Sequence, residues 1–207
     1  KVWEKHLAGK TKFVVQNMPG GGSSKAMNFV FEKAKPDGLT MLYGPWIPVG
    51  QALGQKSLRA QQEKFVFLGG IVDTRVDYAR TDVIPGGLKA HDDILKVKPE
   101  SFKVGGNSSS GISDLMARFP LEVLGVNYGY VTGFRGGSGI FAAMKRKEVH
   151  LHNASFSSFR TRSADPVKKG EMKALWYHAY VDGGKVMANP HVKDVSTFFD
   201  AHKAIKG

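Results

Sequence analysis

The stretch Phe102-Lys-Val-Gly-Gly-Asn-Ser-Ser-Ser-Gly-Ile-Ser-Asp-Leu-Met-Ala-Arg-Phe119 decides the fold, because a short apolar run breaks into small polar residues and then resumes at helical spacing. It reads as strand, loop and helix. Gly105, Gly106 and Gly111 let a backbone approach a ligand closely, the serines offer hydroxyls, and the following helix turns unsatisfied N–H groups toward the loop. That chemistry suits a carboxylate or a phosphate. The same letters also describe a tight connection in which Ser113 caps the helix.

Outward from this stretch, apolar runs alternate with helical patterns, which argues for an α/β fold with mostly parallel sheets covered by helices. Upstream, Phe13–Asn17 reads as a strand, Met18–Ser23 as a turn, and a helix follows with Ala26, Phe29, Val30 and Ala34 on its apolar side until Pro36-Asp-Gly38 stops it. Thr40–Gly44 is a further strand, with Pro45-Trp46 at its carboxyl end, where ligands bind in open α/β sheets. Phe65–Val72 is the most strand-like run, and Val76–Arg80 follows it after a turn at Asp73-Thr-Arg75. A helix is expected from about Lys89 to Val97 and another over Ser138–Lys145. Strands are expected at Tyr128–Thr132, Val149–Asn153 and Lys173–Tyr177. The expected division is 1–64 as a partial first lobe, 65–180 as a second lobe and 181–207 as a segment returning toward the first.

The 207 residues include 42% apolar and 11% aromatic side chains, enough for a real core and against disorder. No apolar run approaches the ~20 residues of a membrane-spanning helix, and no signal pattern opens the chain. Lys1–Leu7 reads as the middle of an amphipathic helix, as in a trimmed or processed protein. With no cysteine, disulfides, thiolate metal sites and cysteine nucleophiles are excluded. The net charge of +12 attracts anions of any kind, nucleic acid and anionic lipid included. Its densest run, Lys145-Arg146-Lys147, closes a helical pattern, where cations complement the helix dipole.

Enzymatic constellations are missing from the pattern. Gly136-Gly-Ser-Gly139 lacks the spacing of a nucleophile elbow, and the Gly/Ser loop lacks the Lys-Ser/Thr ending of a phosphate-binding loop. His150 and His152 share a strand face, yet no third ligand lies near them in sequence, so no metal is expected.

Several motifs together resemble the solute-binding proteins of tripartite tricarboxylate transporters, the Bug family of two-lobed periplasmic receptors for small carboxylates. Val14–Ser23 resembles the family's VVxNxPGAGS and Pro36–Leu42 its PDGYTLL. Val104–Gly111 falls where the family has its Gly/Ser ligand loop, Val131–Gly137 resembles VTGYPGG, and Ala142–Val149 resembles LAMERGEV. The order and spacing agree across most of the chain. Against the family pattern, the opening strand with its PGGxxD loop has no counterpart, and segments completing the first lobe are missing after Gly207. Lys147 and His150 stand where the family has Gly and Asp.

The resemblance implies a type II periplasmic-binding-protein architecture truncated at both ends, a non-enzymatic role, no cofactor and a periplasmic location. Its implied partners are a small organic acid and membrane permease subunits, with no nucleic acid, and the protein is expected to be a monomer. The implied ligand contacts are backbone N–H groups and small hydroxyls. At ~1.5–3 kcal/mol per hydrogen bond to a charged group, four or five donors approach the roughly −8 kcal/mol of a micromolar site. The candidate ligand-binding residues are Trp46, Asn107, Ser108, Ser109, Ser110, Ile112, Phe134 and Ser155, with Asn153 beside the last. Arg75 and Arg135 suit the second carboxylate of a dicarboxylate, although both read better as solvated surface charges. The alternative reading is a polyanion- or nucleic-acid-binding protein driven by the basic charge.

Overall fold

The computed structural model describes residues 3–7, 9, 11–70 and 73–207. The protein is a mixed α/β molecule organised on one five-stranded sheet in the order β3-β2-β4-β1-β5. Its strands are β1 (Arg75–Arg80), β2 (Lys103–Gly105), β3 (Gly129–Val131), β4 (Leu151–Ser155) and β5 (Met172–His178). β2 runs parallel to both β3 and β4, as βα units require. The expectation of a mostly parallel sheet fails at β1, which pairs antiparallel with β4 and with β5. A strand that enters from the N-terminal part of the chain, with no preceding crossover helix on this sheet, is free to insert in the opposite sense.

Helices cover both faces. On one, α3 (Ile112–Leu124) and α6 (Phe198–Lys206) contribute Ala117, Leu121, Leu124, Phe198 and Ala201 to a cluster with Val104, Leu151 and Trp176. On the other, α4 (Gly136–Lys145) packs Ile140, Ala143 and Met144 against Tyr78, Ala154 and Met172, and α5 (Phe156–Lys168) adds Phe159. β4 is therefore buried on both sides along Leu151–Ala154, which is why it reads as a continuous run rather than an alternating one. The segment 181–207 carries a short exposed hairpin, β6 (Tyr180–Asp182) with β7 (Lys185–Met187), and then α6, whose Phe198 ring lies 5.4 Å from that of Trp176.

The helix expected over Lys89–Val97 is a single 3-10 turn, Asp92–Lys96. Asp93 holds it by accepting from the N–H groups of Lys89 and Ala90. At the chain start, Trp3–Lys5 is a 3-10 turn, and Lys1 and Val2 lie outside the described residues.

The N-terminal region is built differently. Its helices α1 (Ser24–Lys33) and α2 (Pro48–Ala52) gather a small cluster of Met27, Ile47 and Ala60 with Phe31, Leu42, Leu58 and Phe65 around it. The strands expected at 13–17 and 40–44 do not form, nor does the one at 65–72 along its described part, Phe65–Gly70; Ile71 and Val72 lie outside the described residues. Val14, Val15, Tyr43, Val66, Phe67 and Leu68 stand exposed. Side-chain amides do here what a neighbouring strand does in a sheet. Gln62 accepts from the Ile47 N–H and donates to its carbonyl, both at 2.8 Å. Asn28 accepts from the N–H groups of Arg59 and Ala60 and donates to the Ser57 carbonyl.

Candidate functional site

The Gly/Ser loop leaves the carboxyl end of β2 and enters α3, with the end of β4 alongside it in the sheet. Gly111, in extended conformation, is the last residue before the helix, so the cap expected at Ser113 falls two residues earlier and has no side-chain bond. Asp114 in the first turn reaches back, accepting from the N–H of Asn107 at 2.6 Å and of Ser108 at 3.2 Å. Tyr130 of β3 donates to the same carboxylate oxygen and lies within 2.7 Å of the Ser108 carbonyl. Burial, reinforced by Asp114, pushes the Tyr130 phenol far above its ordinary range, so it stays a donor. Arg118 closes the cluster over the Tyr130 ring, 4.8 Å from its centre, and donates to the Ser109 carbonyl.

This cluster corrects the reading of the glycines. A Cβ at Gly106 strikes the Tyr130 hydroxyl and the Asp114 carboxylate, and one at Gly111 comes to 2.5 Å from Asp114 Oδ2 and 2.9 Å from Ser108 Oγ. Both glycines are required by close packing inside the loop. The backbone donors of Asn107 and Ser108 are likewise already matched to an anion, the protein's own Asp114. Donors left for a ligand include the N–H groups of Ile112 and Ser113, which have no intrahelical acceptor, together with the hydroxyls of Ser108 and Ser109.

The loop faces the N-terminal region. Ser110 Oγ donates to Gln55 Oε1 at 2.5 Å, and Ser108 Oγ sits 2.7 Å from where a Cβ on Gly22 would be. Gly22 belongs to the Met18–Ser23 turn and has φ 61°, a left-handed conformation glycine adopts without strain. Two motifs more than 80 positions apart thus meet, one from each part of the chain.

The remaining candidates divide. Phe134 donates its N–H to the Gly106 carbonyl at 3.4 Å, while its ring packs with the α4 cluster on the other side of the sheet. Ile112 is partly exposed at the helix start, and Asn107 carries a buried Oδ1 that no described group bonds. Ser155 caps α5, accepting from the Ser158 N–H at 3.2 Å, and its Oγ also shares a hydrogen bond with Ser157 Oγ at 3.2 Å, so its hydroxyl is engaged at the start of that helix. Trp46 is half exposed beside the buried Ile47 and joins none of these contacts. Arg135 is exposed. His150 and His152 are each engaged singly. Nδ1 of His150 accepts from the Lys103 N–H, and His152 is buried edge-on to Tyr78, which holds its imidazole at about 3, chiefly by desolvation.

Sequence reasoning missed Asp114 and Tyr130. Asp114 carried a signal, since an acidic residue three places after a helix start is the capping spacing. Hollows of about 260 Å³, lined by Arg118, Glu122, Tyr128 and Tyr130, and about 600 Å³, lined by Asn17, Lys25, Asn28 and Arg59 among others, lie beside the loop helix and on the N-terminal region. Neither is lined by the loop serines.

No protein-family model matches the chain, and no curated protein matches it either. Solved structures to which it is similar include periplasmic and solute-binding proteins. The periplasmic binding protein BugD is 19% identical with a TM-score of 0.48, over 65% of this chain and 41% of its own. MatC from Rhodopseudomonas palustris, solved with bound malate, is 18% identical with a TM-score of 0.46, over 62% of this chain and 40% of its own. A TctC solute-binding protein from Polaromonas is 14% identical with a TM-score of 0.48, over 65% and 41%. The chain thus spans about two-fifths of the length of these neighbours. No described helix is long and apolar enough to cross a membrane.

Proposed function

We propose that the protein is a periplasmic solute-binding protein that captures a small organic carboxylate and delivers it to permease subunits of a tripartite tricarboxylate-type transporter. The observation that carries this reading is the meeting of the Gly/Ser loop with the Met18–Ser23 turn and Gln55. Ligand-driven closure needs contacts to both parts of the receptor, because only differential affinity for the closed state moves that equilibrium. A loop that borders the N-terminal region, ends in orphan helix N–H groups and carries three serines supplies one half of such a contact. Ser109 and Ile112, with the backbone N–H of Ser110 whose hydroxyl is given to Gln55, are the residues assigned to the ligand.

The rival polyanion reading draws on the +12 charge. Several cations, however, are paired locally: Arg59 with Glu32, Lys96 with Asp93, Arg146 with Glu148 and Lys147 with Asp82. Thermal-shift and calorimetric titration of the 207-residue chain against mono- and dicarboxylates decides the matter. Saturable stabilisation without turnover is expected. No shift with any carboxylate, together with binding to heparin or nucleic acid that falls steeply with salt, would overturn transport in favour of the rival.

A further inference from the structure

From sequence Arg75 suits a second carboxylate but reads better as a solvated surface charge, and the structure gives it a built setting. It opens β1 opposite Ser155 of β4 and His178 of β5, and its side chain is 20% exposed, against 59% for Arg59 and 58% for Arg146 in surface pairs. Alternation along β1 puts Arg75 on the same sheet face as Asp77, which is the face covered by α3. Two donors along one side of the guanidinium are anchored. Nε donates to Asn153 Oδ1 at 2.6 Å and Nη2 to the Asn153 carbonyl at 3.0 Å.

The anchor is itself fixed from within. Asn153 Nδ2 donates to Asp77 Oδ1 at 2.8 Å, and Asp77, fully buried, takes Trp176 Nε1 at 2.7 Å and His178 Nε2 at 2.8 Å on its other oxygen. This chain of polar contacts from the core sets the plane of the guanidinium and leaves its outer edge, both N–H groups of Nη1 and the second of Nη2, without a hydrogen bond among the described residues. The nearest acid to Nη1 is Asp73, at 3.7 Å, beyond hydrogen-bond reach. Asn153 lies near the carboxyl end of β4, beside β2 whose carboxyl end gives the Gly/Ser loop, so the guanidinium and the loop sit at the same end of the sheet, and the Asp114 charge at the start of α3 also acts on Arg75.

A pre-oriented fork with a free edge fits a carboxylate in bidentate geometry. Resting on the carboxylate-receptor reading, we propose that the outer edge of Arg75 receives the second carboxylate of a bound dicarboxylate, with Asn153 and Asp77 as positioning residues. The first carboxylate then belongs to the orphan N–H groups at Ile112 and Ser113. Because Asp73, Asp77 and Asp114 surround the guanidinium, attraction here comes from the fork at close range rather than from a broad positive field.

Calorimetric titration with three length-matched pairs tests this: succinate with butyrate, glutarate with valerate, and adipate with hexanoate. At least one dicarboxylate is expected to bind roughly tenfold to a hundredfold tighter than its partner. R75M and R75Q erase that ratio while leaving monocarboxylate binding within about threefold, and R75K, which keeps charge without the fork, retains part of it. R75Q keeps a donor for Asn153, so the ratio is readable if R75M does not fold. D73N, which removes the nearest acidic neighbour, is expected to tighten dicarboxylate binding. Equal binding of each pair by the wild type, or equal loss of both members in the variants, overturns the role of Arg75 and leaves the receptor reading intact. Binding of neither member by the wild type overturns both.

Discussion

The sheet body and the N-terminal region are written in similar letters and come out differently. Val76-Asp-Tyr-Ala79 is buried between β4 and β5, whereas Val66-Phe-Leu68, with stronger strand-forming residues, stands in solvent unpaired. A strand is stabilised by lateral partners, and each half-buried apolar side chain counts only against a neighbour on the same face. In the body those neighbours come from β4, β5 and four helices. In the N-terminal region, side-chain amides of Asn28 and Gln62 stand in for ladder bonds around a cluster too small to cover the remaining apolar runs.

The sharpest way to break this contrast is at the centre of the body. Asp77→Ala leaves the Trp176 indole N–H and the Asn153 amide buried without their acceptor and is expected to cost about 3–5 kcal/mol in urea unfolding. A loss below about 1 kcal/mol means the network is not the keystone described. In the N-terminal region, Asn28→Ala frees two backbone N–H groups and is expected to cost ~1–3 kcal/mol locally. Hydrogen exchange checks it: faster exchange at Arg59 and Ala60 with β1 and β4 unchanged is the expected result, and uniform acceleration refutes separate stability of the two regions.

Acid separates them further. His152 is buried in the body with its folded-state pKa near 3, below its ordinary value of 6.5. Above pH 6.5 it is neutral folded or unfolded, and its contribution is fully present. As pH falls from 6.5 toward 3 the unfolded chain binds a proton that the folded one does not, so stability drops by up to ~1.4 kcal/mol per pH unit. Chemical denaturation from pH 7 to pH 4 measures the slope, which His152→Gln should flatten. The smallest effect is expected at Phe67→Asp, within about 0.5 kcal/mol by thermal melting, because the ring is 75% exposed. A loss above 1 kcal/mol would show that the exposed run has a partner.

Much of the body was legible in sequence. β1, β2, β5, α3 and α4 follow from apolar periodicity, and β4 was found two residues early because its buried run continues through Asn153 and Ala154. α5 escaped notice because Phe156–Lys168 is largely polar and carries Pro166, which hides its single apolar side. The expected strands at 13–17, 40–44 and 65–70 failed for the reason above, since pairing is not written in the strand's own letters. At the candidate site the loop was legible and its wiring was not. Asp114 was adjacent in sequence and its backward reach was overlooked, while the anchoring of Arg75 was not legible, because Asn153, which holds it, lies 78 residues away.

The irregularity in β5 between the partners of Asp77 and Tyr78 has a practical consequence. Trp176 is the last partner in register before the shift and stands directly opposite Asp77, so its indole joins the same carboxylate that steadies Asn153. Trp176 is fully buried and lies three hydrogen bonds from the guanidinium of Arg75, by way of Asp77 and Asn153. The protein is therefore expected to carry its own optical probe, with emission from that indole reporting events at the arginine without any attached dye.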